Sequence, residues 1–275
     1  MRWERERSRL APDAAPPWLK QLVDNVDHIR RAYRRQLPAE VVSAILEADA
    51  EADRAAGRDT SGPAGKPKRD AAVLVLFSGP PDAPAGELPD DADLLLTVRA
   101  STLRHHAGQA AFPGGAADDT DPDPVYTALR EAAEETGIDT ARLQPLATME
   151  KMFIPPSGFH VVPVLAYSPD PGPVGVVDPA EAALVSRIPV RAFVNPENRI
   201  MVYRDARTHR LAWPAFVLNE MLVWGFTGQV ISAMLDVAGW ARPWNTDDVR
   251  ELDEAMALAG SPDRSPGRYG DAHDD

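Results

Sequence analysis

The sequence contains no cysteine, which excludes disulfide bonds, a thiol nucleophile and thiolate ligands for zinc. No run of about 18 apolar residues occurs, and the charged start of the chain, MRWERERSRL, has no apolar signal core. Basic side chains are also scarce, since 29 Lys and Arg face 42 Asp and Glu and leave a formal charge of −13. We therefore expect a cytoplasmic protein that binds neither membranes nor nucleic acid.

With 275 residues, of which 44% are hydrophobic, the chain can form one sizeable core with extensions. We predict an N-terminal helical extension and linker over residues 1–69, a main domain over 70–245, and a short helix with a disordered tail over 246–275. Apolar residues from Leu19 to Leu37 recur at helical spacing, and a second helix is predicted after Pro38. Three roles for the extension stay open: packing on the main domain, forming a homodimer, or binding another protein.

In the main domain, the segment REAAEE places three carboxylates within an arc of about 100° on one helix face, those of Glu131, Glu134 and Glu135. Carboxylates crowded in this way repel one another unless a cation compensates, and Arg130 offsets part of the repulsion. Oxygen ligands suit Mg²⁺ or Mn²⁺. The alternative is an ordinary solvated helix face.

The flanking sequence predicts where this helix begins and ends. Asp123 is a suitable N-cap, Pro124 suits the first helical position, and Gly137 ends the helix. Upstream, AAVLVLF and LLLT predict buried strands, and Gly114-Gly115 in FPGG allows a tight turn near a ligand. Further strands are predicted over 146–153 and 160–167, and a helix over 218–237.

These residues resemble the Nudix hydrolases, whose motif ends in Arg-Glu-x-x-Glu-Glu-x-Gly and an apolar residue. That half is complete here, from Arg130 to Ile138. In the first half, Asp121 stands where the family has Glu, and the loop before Arg130 is one residue longer. The segment LLTVRASTLRHHAGQAAFPGG is similar to a further block of the coenzyme A pyrophosphatase-like subgroup, with Ala100 in place of Ser.

The resemblance implies an α/β protein with a Nudix α/β/α sandwich and a mixed β-sheet. It implies Mg²⁺- or Mn²⁺-dependent hydrolysis of a small nucleotide, coenzyme A or acyl-CoA, to 3′,5′-ADP and (acyl-)phosphopantetheine. The alternatives are an ADP-ribose or NADH pyrophosphatase and a Nudix module that binds a nucleotide without cleaving it.

The implied metal ligands are the three glutamates of the motif, Glu131, Glu134 and Glu135, and a backbone carbonyl of the glycine turn, that of Gly115 or its neighbour Gly114. Arg130 would orient the glutamates. The general base stays open among Glu134, Glu135 and the distal Glu181, which is otherwise a surface charge. Asp118 and Asp121 match acidic positions of the subgroup and are either metal contacts or turn formers.

Two arginines of the upstream block, Arg99 and Arg104, are candidate substrate-binding residues. Their guanidinium groups suit bidentate contacts with phosphate. The alternative for both is an ordinary surface ion pair.

Overall fold

The computed structural model describes residues 10–36, 43, 69–99, 109–154, 158–180, 182–206, 209–218 and 221–260. Several predictions therefore lie outside the described residues. They concern Arg104, Ala100 and Glu181, the second helix after Pro38, and the tail from residue 261 onward.

The described chain folds into short helices and two β-sheets. The helices are α1 Pro17–Asp24, α2 Val26–Gln36, α3 Pro124–Thr136, α4 Val190–Val194, α5 Gly225–Ala238 and α6 Leu252–Ala259. The strands are β1 Arg69–Ser78, β2 Asp93–Arg99, β3 Ala110–Ala111, β4 Gly114–Ala116, β5 Gln144–Thr148, β6 Met152–Ile154, β7 Phe159–Ser168, β8 Ala182–Pro189, β9 Arg199–Ala206, β10 His209–Leu218, β11 Met221–Val223 and β12 Val249–Glu251.

The larger sheet is mixed, as predicted. Its central strands run in the order β3-β2-β1-β7-β5, while β4 pairs with β1, β6 with β7 and β8 with β2. Strands β1 and β7 are parallel along their full length, and the other pairs are antiparallel. A parallel pair needs a crossover connection, and the segment between β1 and β7 that contains α3 provides it.

Alternating side chains of β1 give the sheet two apolar faces. Leu74 and Leu76 belong to the cluster that also contains Val125 and Ala128 of α3. Val75 and Phe77 point to the other side and join the cluster that contains residues of α1, α2 and α5. Helices thus cover both faces of the sheet, which confirms the α/β/α sandwich.

The N-terminal helices pack on the main domain through Trp18. Its side chain is 1% exposed and its Nε1 donates a 2.9 Å hydrogen bond to the carbonyl of Pro80. The ring contacts those of Phe77, Tyr167 and Trp240 at centroid distances of 5.9 to 6.3 Å. Intramolecular packing, one of the three roles left open, is therefore observed for this part of the extension. A homodimer stays a prediction.

Three predicted elements differ in extent. The amphipathic stretch that begins at Leu19 is two helices separated at Asn25, whose side-chain amide donates to the carbonyl of Gln21. The predicted strand over 146–153 is broken into β5 and β6 at Glu150 and Lys151, which form ion pairs with Arg30 and Asp70 respectively. The predicted helix over 218–237 starts later, at Gly225, because β11 occupies 221–223.

A second sheet, which we did not predict, has the order β11-β10-β9-β12. It packs against α6 through a small cluster that includes Val202, Ala215 and Ala255. Strand β12 pairs in parallel with β9, so residues beyond position 245 contribute to this sheet. The division of the chain at 69/70 and 245/246 stays a prediction.

No helix among the described residues is long and apolar enough to cross a membrane.

The packing of Trp18 predicts a large loss of stability when its ring is removed. Trp18→Ala should lower the free energy of unfolding by about 3–5 kcal/mol, because a buried aromatic side chain leaves a cavity and an unpaired carbonyl. Urea unfolding followed by circular dichroism measures the change. The control is Met256→Ala, at a side chain that is 42% exposed, with an expected change within about 0.5 kcal/mol. Equal stabilities of the two variants would contradict the packing of the extension.

Candidate active site

Helix α3 has the ends predicted for it. The Asp123 side chain accepts a 2.8 Å hydrogen bond from the backbone N–H of Tyr126, and Pro124 is the first helical residue. Gly137 ends the helix with φ 67° and donates its N–H to the carbonyl of Ala133. Capped at both ends and buried along its apolar side, the helix holds its polar side in a fixed place.

The three glutamates lie in different environments. Glu131 is mostly buried, with 19% of its side chain exposed, whereas 59% of the Glu134 side chain is exposed. Glu135 is half-buried, and its Oε2 accepts a 3.2 Å hydrogen bond from the backbone N–H of Gly114. Two of the three carboxylates are therefore directed toward the glycine turn, and one is open to solvent.

The glycine turn lies so close to its surroundings that side chains do not fit. Gly114 has φ 154°, and a Cβ there would overlap the backbone of Ala72 and Val73. At Gly115 a Cβ would overlap the carboxylate of Glu131. The absence of both side chains lets β4 pair with β1 and places the backbone of Gly115 against a glutamate.

Arg130 connects this face to the loop that precedes the helix. Its Nη1 lies 2.8 Å from Oε1 of Glu131 and 3.1 Å from Oε2 of Glu134. Its Nη2 donates to the carbonyl of Ala116 at 3.2 Å and to Oδ2 of Asp121 at 3.0 Å, while Nε donates to Oδ1 of Asp121 at 3.3 Å. One guanidinium thus joins two glutamates, the glycine turn and the loop.

Asp121 is a buried anchor for Arg130. Only 2% of its side chain is exposed, and Oδ2 also accepts hydrogen bonds from the N–H of Asp118 at 3.0 Å and the hydroxyl of Thr127 at 2.9 Å. The hydrogen bonds between Arg130 and Asp121 are the largest cause of the pKa shifts of both groups. They lower the pKa of Asp121 below 3.8 and raise the pKa of Arg130 above its usual value. Because its oxygens are bonded in this way, Asp121 has a geometry suited to holding Arg130.

Asp118 is different, because 66% of its side chain is exposed and it lies 3.7 Å from Nη2 of Arg130. Its role stays open.

The donor atoms on this face suit a hard divalent cation. They are carboxylate oxygens together with a backbone carbonyl, without sulfur or imidazole. Burial raises the pKa of Glu131, Arg130 opposes that shift, and the neighbouring Glu134 and Asp118 add to it. A bound cation would favour the ionised form of such a carboxylate. Within the ranges that the structure describes, no three acidic or histidine side chains already form a metal-ligand group.

The remaining predicted site residues are less closely connected. Arg99 lies at the end of β2, where its backbone N–H donates to the carbonyl of Gln109 at 3.0 Å. Its Nε is buried and has no hydrogen-bond partner among the described residues. Before Glu181, Gly175 donates its N–H to the carbonyl of Thr136, so the loop that leads to this glutamate contacts the end of α3.

The sequence of the chain is similar to that of known proteins. The model of the NUDIX domain matches residues 67–208. The protein named uncharacterized Nudix hydrolase NudL of Cronobacter sakazakii is 36% identical over 172 residues, covering 60% of this chain and 80% of that protein. Nudix hydrolase 15, mitochondrial, of Arabidopsis thaliana is 31% identical over 173 residues, covering 60% of this chain and 57% of its own length. The crystal structure of a Nudix hydrolase from M. smegmatis, RenU, has a TM-score of 0.41 and 18% identity, covering 65% of this chain and 90% of that one.

The bonds of Asp121 predict a pH-dependent stability. A carboxyl whose pKa is lowered on folding stabilises the protein above its unfolded pKa, near 3.8, and loses this effect as the pH falls through the folded value. Asp121→Asn should lower the free energy of unfolding at pH 7 by about 1.5–3 kcal/mol. The difference from the unmodified protein should shrink below about pH 4. Urea unfolding at several pH values measures it.

Asp118→Asn is the matched control, since it removes an exposed carboxylate near the same arginine. We expect a change within about 0.5 kcal/mol at every pH. A loss at pH 7 as large as that of Asp121→Asn would contradict the anchoring role.

The contact between Gly115 and Glu131 predicts that a single methyl group disturbs metal binding. Gly115→Ala should weaken Mn²⁺ binding about 10- to 100-fold, because the new side chain displaces the carboxylate. Isothermal titration calorimetry measures the affinity. Gly175→Ala, where a Cβ meets nothing within 4 Å, should bind Mn²⁺ as the unmodified protein does. Equal affinities of the two variants would show that this part of the helix holds no metal.

Proposed function

The chain belongs to the Nudix hydrolase family, and on that premise we propose that it hydrolyses the pyrophosphate bond of coenzyme A or an acyl-CoA with Mg²⁺ or Mn²⁺. The products are 3′,5′-ADP and phosphopantetheine or its acyl derivative. The observation that carries the proposal is the carboxylate face of α3, which Arg130 holds against the glycine turn. The substrate class is supported by the resemblance of the upstream segment that contains Arg99 to the coenzyme A pyrophosphatase-like subgroup.

Glu131, Glu134, Glu135 and the carbonyl of Gly115 would hold the cation. When bound, a divalent cation neutralises pyrophosphate oxygens and lowers the pKa of a coordinated water. Arg130 forms ion pairs with Glu131 and Glu134, so that their carboxylates do not have to be positioned during the reaction.

In the reaction, the oxygen of water forms a bond to one phosphorus while the bond from that phosphorus to the bridging oxygen breaks. The proton of the water passes to a carboxylate, and the bridging oxygen leaves with the other phosphate. Glu134 is accessible to solvent and is the candidate base among the described glutamates, while Glu135 and Glu181 stay alternatives.

Arg99 is the candidate phosphate ligand within the described chain. Its buried Nε has no hydrogen-bond partner there, and a phosphate is one acceptor that would satisfy this unpaired donor. Arg104 has the same proposed role on the strength of the sequence alone.

The proposal predicts the products and the effect of one substitution. The protein should convert coenzyme A or an acyl-CoA to 3′,5′-ADP when Mg²⁺ or Mn²⁺ is present, as resolved by mass spectrometry. Glu134→Gln should lower turnover about 10²- to 10³-fold, because it removes one preorganised charged group. Glu87→Gln, at an exposed loop position, should leave turnover unchanged.

Parallel assays with ADP-ribose and NADH separate the alternatives. Formation of AMP from either compound, without cleavage of coenzyme A or acyl-CoA, would agree with Nudix hydrolysis. It would contradict coenzyme A and acyl-CoA as the substrates. Binding of a nucleotide without metal-dependent product would favour the non-catalytic module.

A further inference from the structure

Helix α2 carries a concentrated positive charge on a protein that is strongly acidic. Four of the 29 basic residues lie within six positions: Arg30, Arg31, Arg34 and Arg35. They occupy the side of the helix opposite to the buried Ile29 and Tyr33. Arginines three and four residues apart are neighbours on a helix surface and repel one another. This surface is therefore suited to a ligand of negative charge.

Nearby acidic side chains neutralise only part of the positive charge of these arginines. Arg30 forms an ion pair with Glu150, and Asp236 interacts electrostatically with Arg35. In the part of the chain that the structure describes, Arg31 and Arg34 form no ion pair, although Asp27 is close to them on the same helix. Arg31 and Arg34, which lie at the centre of the exposed side of the helix, therefore have guanidinium groups without an acidic partner among the described residues.

The arginines line a shallow groove that is open to solvent. The groove has a volume of about 360 Å³ and is lined by the four arginines, Asp27 and Glu150. Helix α2 packs on the face of the sheet opposite to α3, so the groove is separate from the carboxylate face with Glu131.

We propose that this groove, defined by the six residues above, is a second binding site for a soluble phosphorylated anion of nucleotide size. Arg31 and Arg34 contact its phosphate groups through their planar forks, which match phosphate oxygens in geometry and charge. Arg30, held by Glu150, forms one side of the site. Binding requires no divalent cation, which distinguishes this site from that of the proposed hydrolysis.

The test is the binding of 3′,5′-ADP to the full chain in EDTA, measured by isothermal titration calorimetry. The double variant Arg31→Gln/Arg34→Gln should bind at least about tenfold more weakly than the unmodified protein. Binding by the unmodified protein should weaken as salt is added. The matched control is Arg142→Gln/Arg242→Gln, which removes two exposed arginines that do not line the groove. It should bind normally.

Further measurements distinguish a loss of binding in this groove from a loss of folding or of hydrolysis. Both double variants should melt at the same temperature as the unmodified protein and retain its turnover, while Glu134→Gln should still bind 3′,5′-ADP in EDTA. Undetectable binding to the unmodified protein, or equal affinities in the two double variants, would overturn the proposal. Binding to vesicles of phosphatidylserine without binding to 3′,5′-ADP would also overturn it, in favour of a membrane surface.

Discussion

The candidate active site depends on the hydrogen bonds and ion pairs of the Arg130 guanidinium. Its three nitrogens contact a buried aspartate in the loop before α3, the backbone of the glycine turn and two glutamates of the helix. Because β4 is paired with the central strand β1, these contacts connect the carboxylates to the core of the sheet. A charged group bonded on so many sides loses little freedom when a ligand arrives, which is the condition for electrostatic catalysis.

Much of this arrangement could be predicted because it depends on local chemistry. Asp123, Pro124 and Gly137 define the ends of α3 through capping and backbone rules that act within a few residues. Helical periodicity places Glu131 and Glu134 on one side. Apolar runs likewise predict β1 and β2, although both strands extend beyond the predicted segments.

The features that could not be predicted depend on contacts between residues distant in sequence, or on segments whose residues favour different secondary structures. The sequence does not distinguish the two roles of Asp121, because only the folded loop shows that Arg130, Thr127 and the N–H of Asp118 bond to it. Between β5 and β6, the three residues from Met149 to Lys151 lie opposite two residues of β7, a bulge that depends on a strand distant in sequence. The second sheet was missed because its β10 contains Pro214, a residue typical of strand edges and irregular segments.

The proposed hydrolysis requires that the face of α3 beside the glycine turn binds the divalent cation. The most direct test is a crystal structure of the protein grown with Mn²⁺, with the metal located by its anomalous scattering. We expect an anomalous peak in direct contact with the Gly115 carbonyl and with the carboxylates of Glu131 and at least one of Glu134 and Glu135. A well-ordered glutamate face without a peak, or Mn²⁺ bound only elsewhere on the protein, would contradict it.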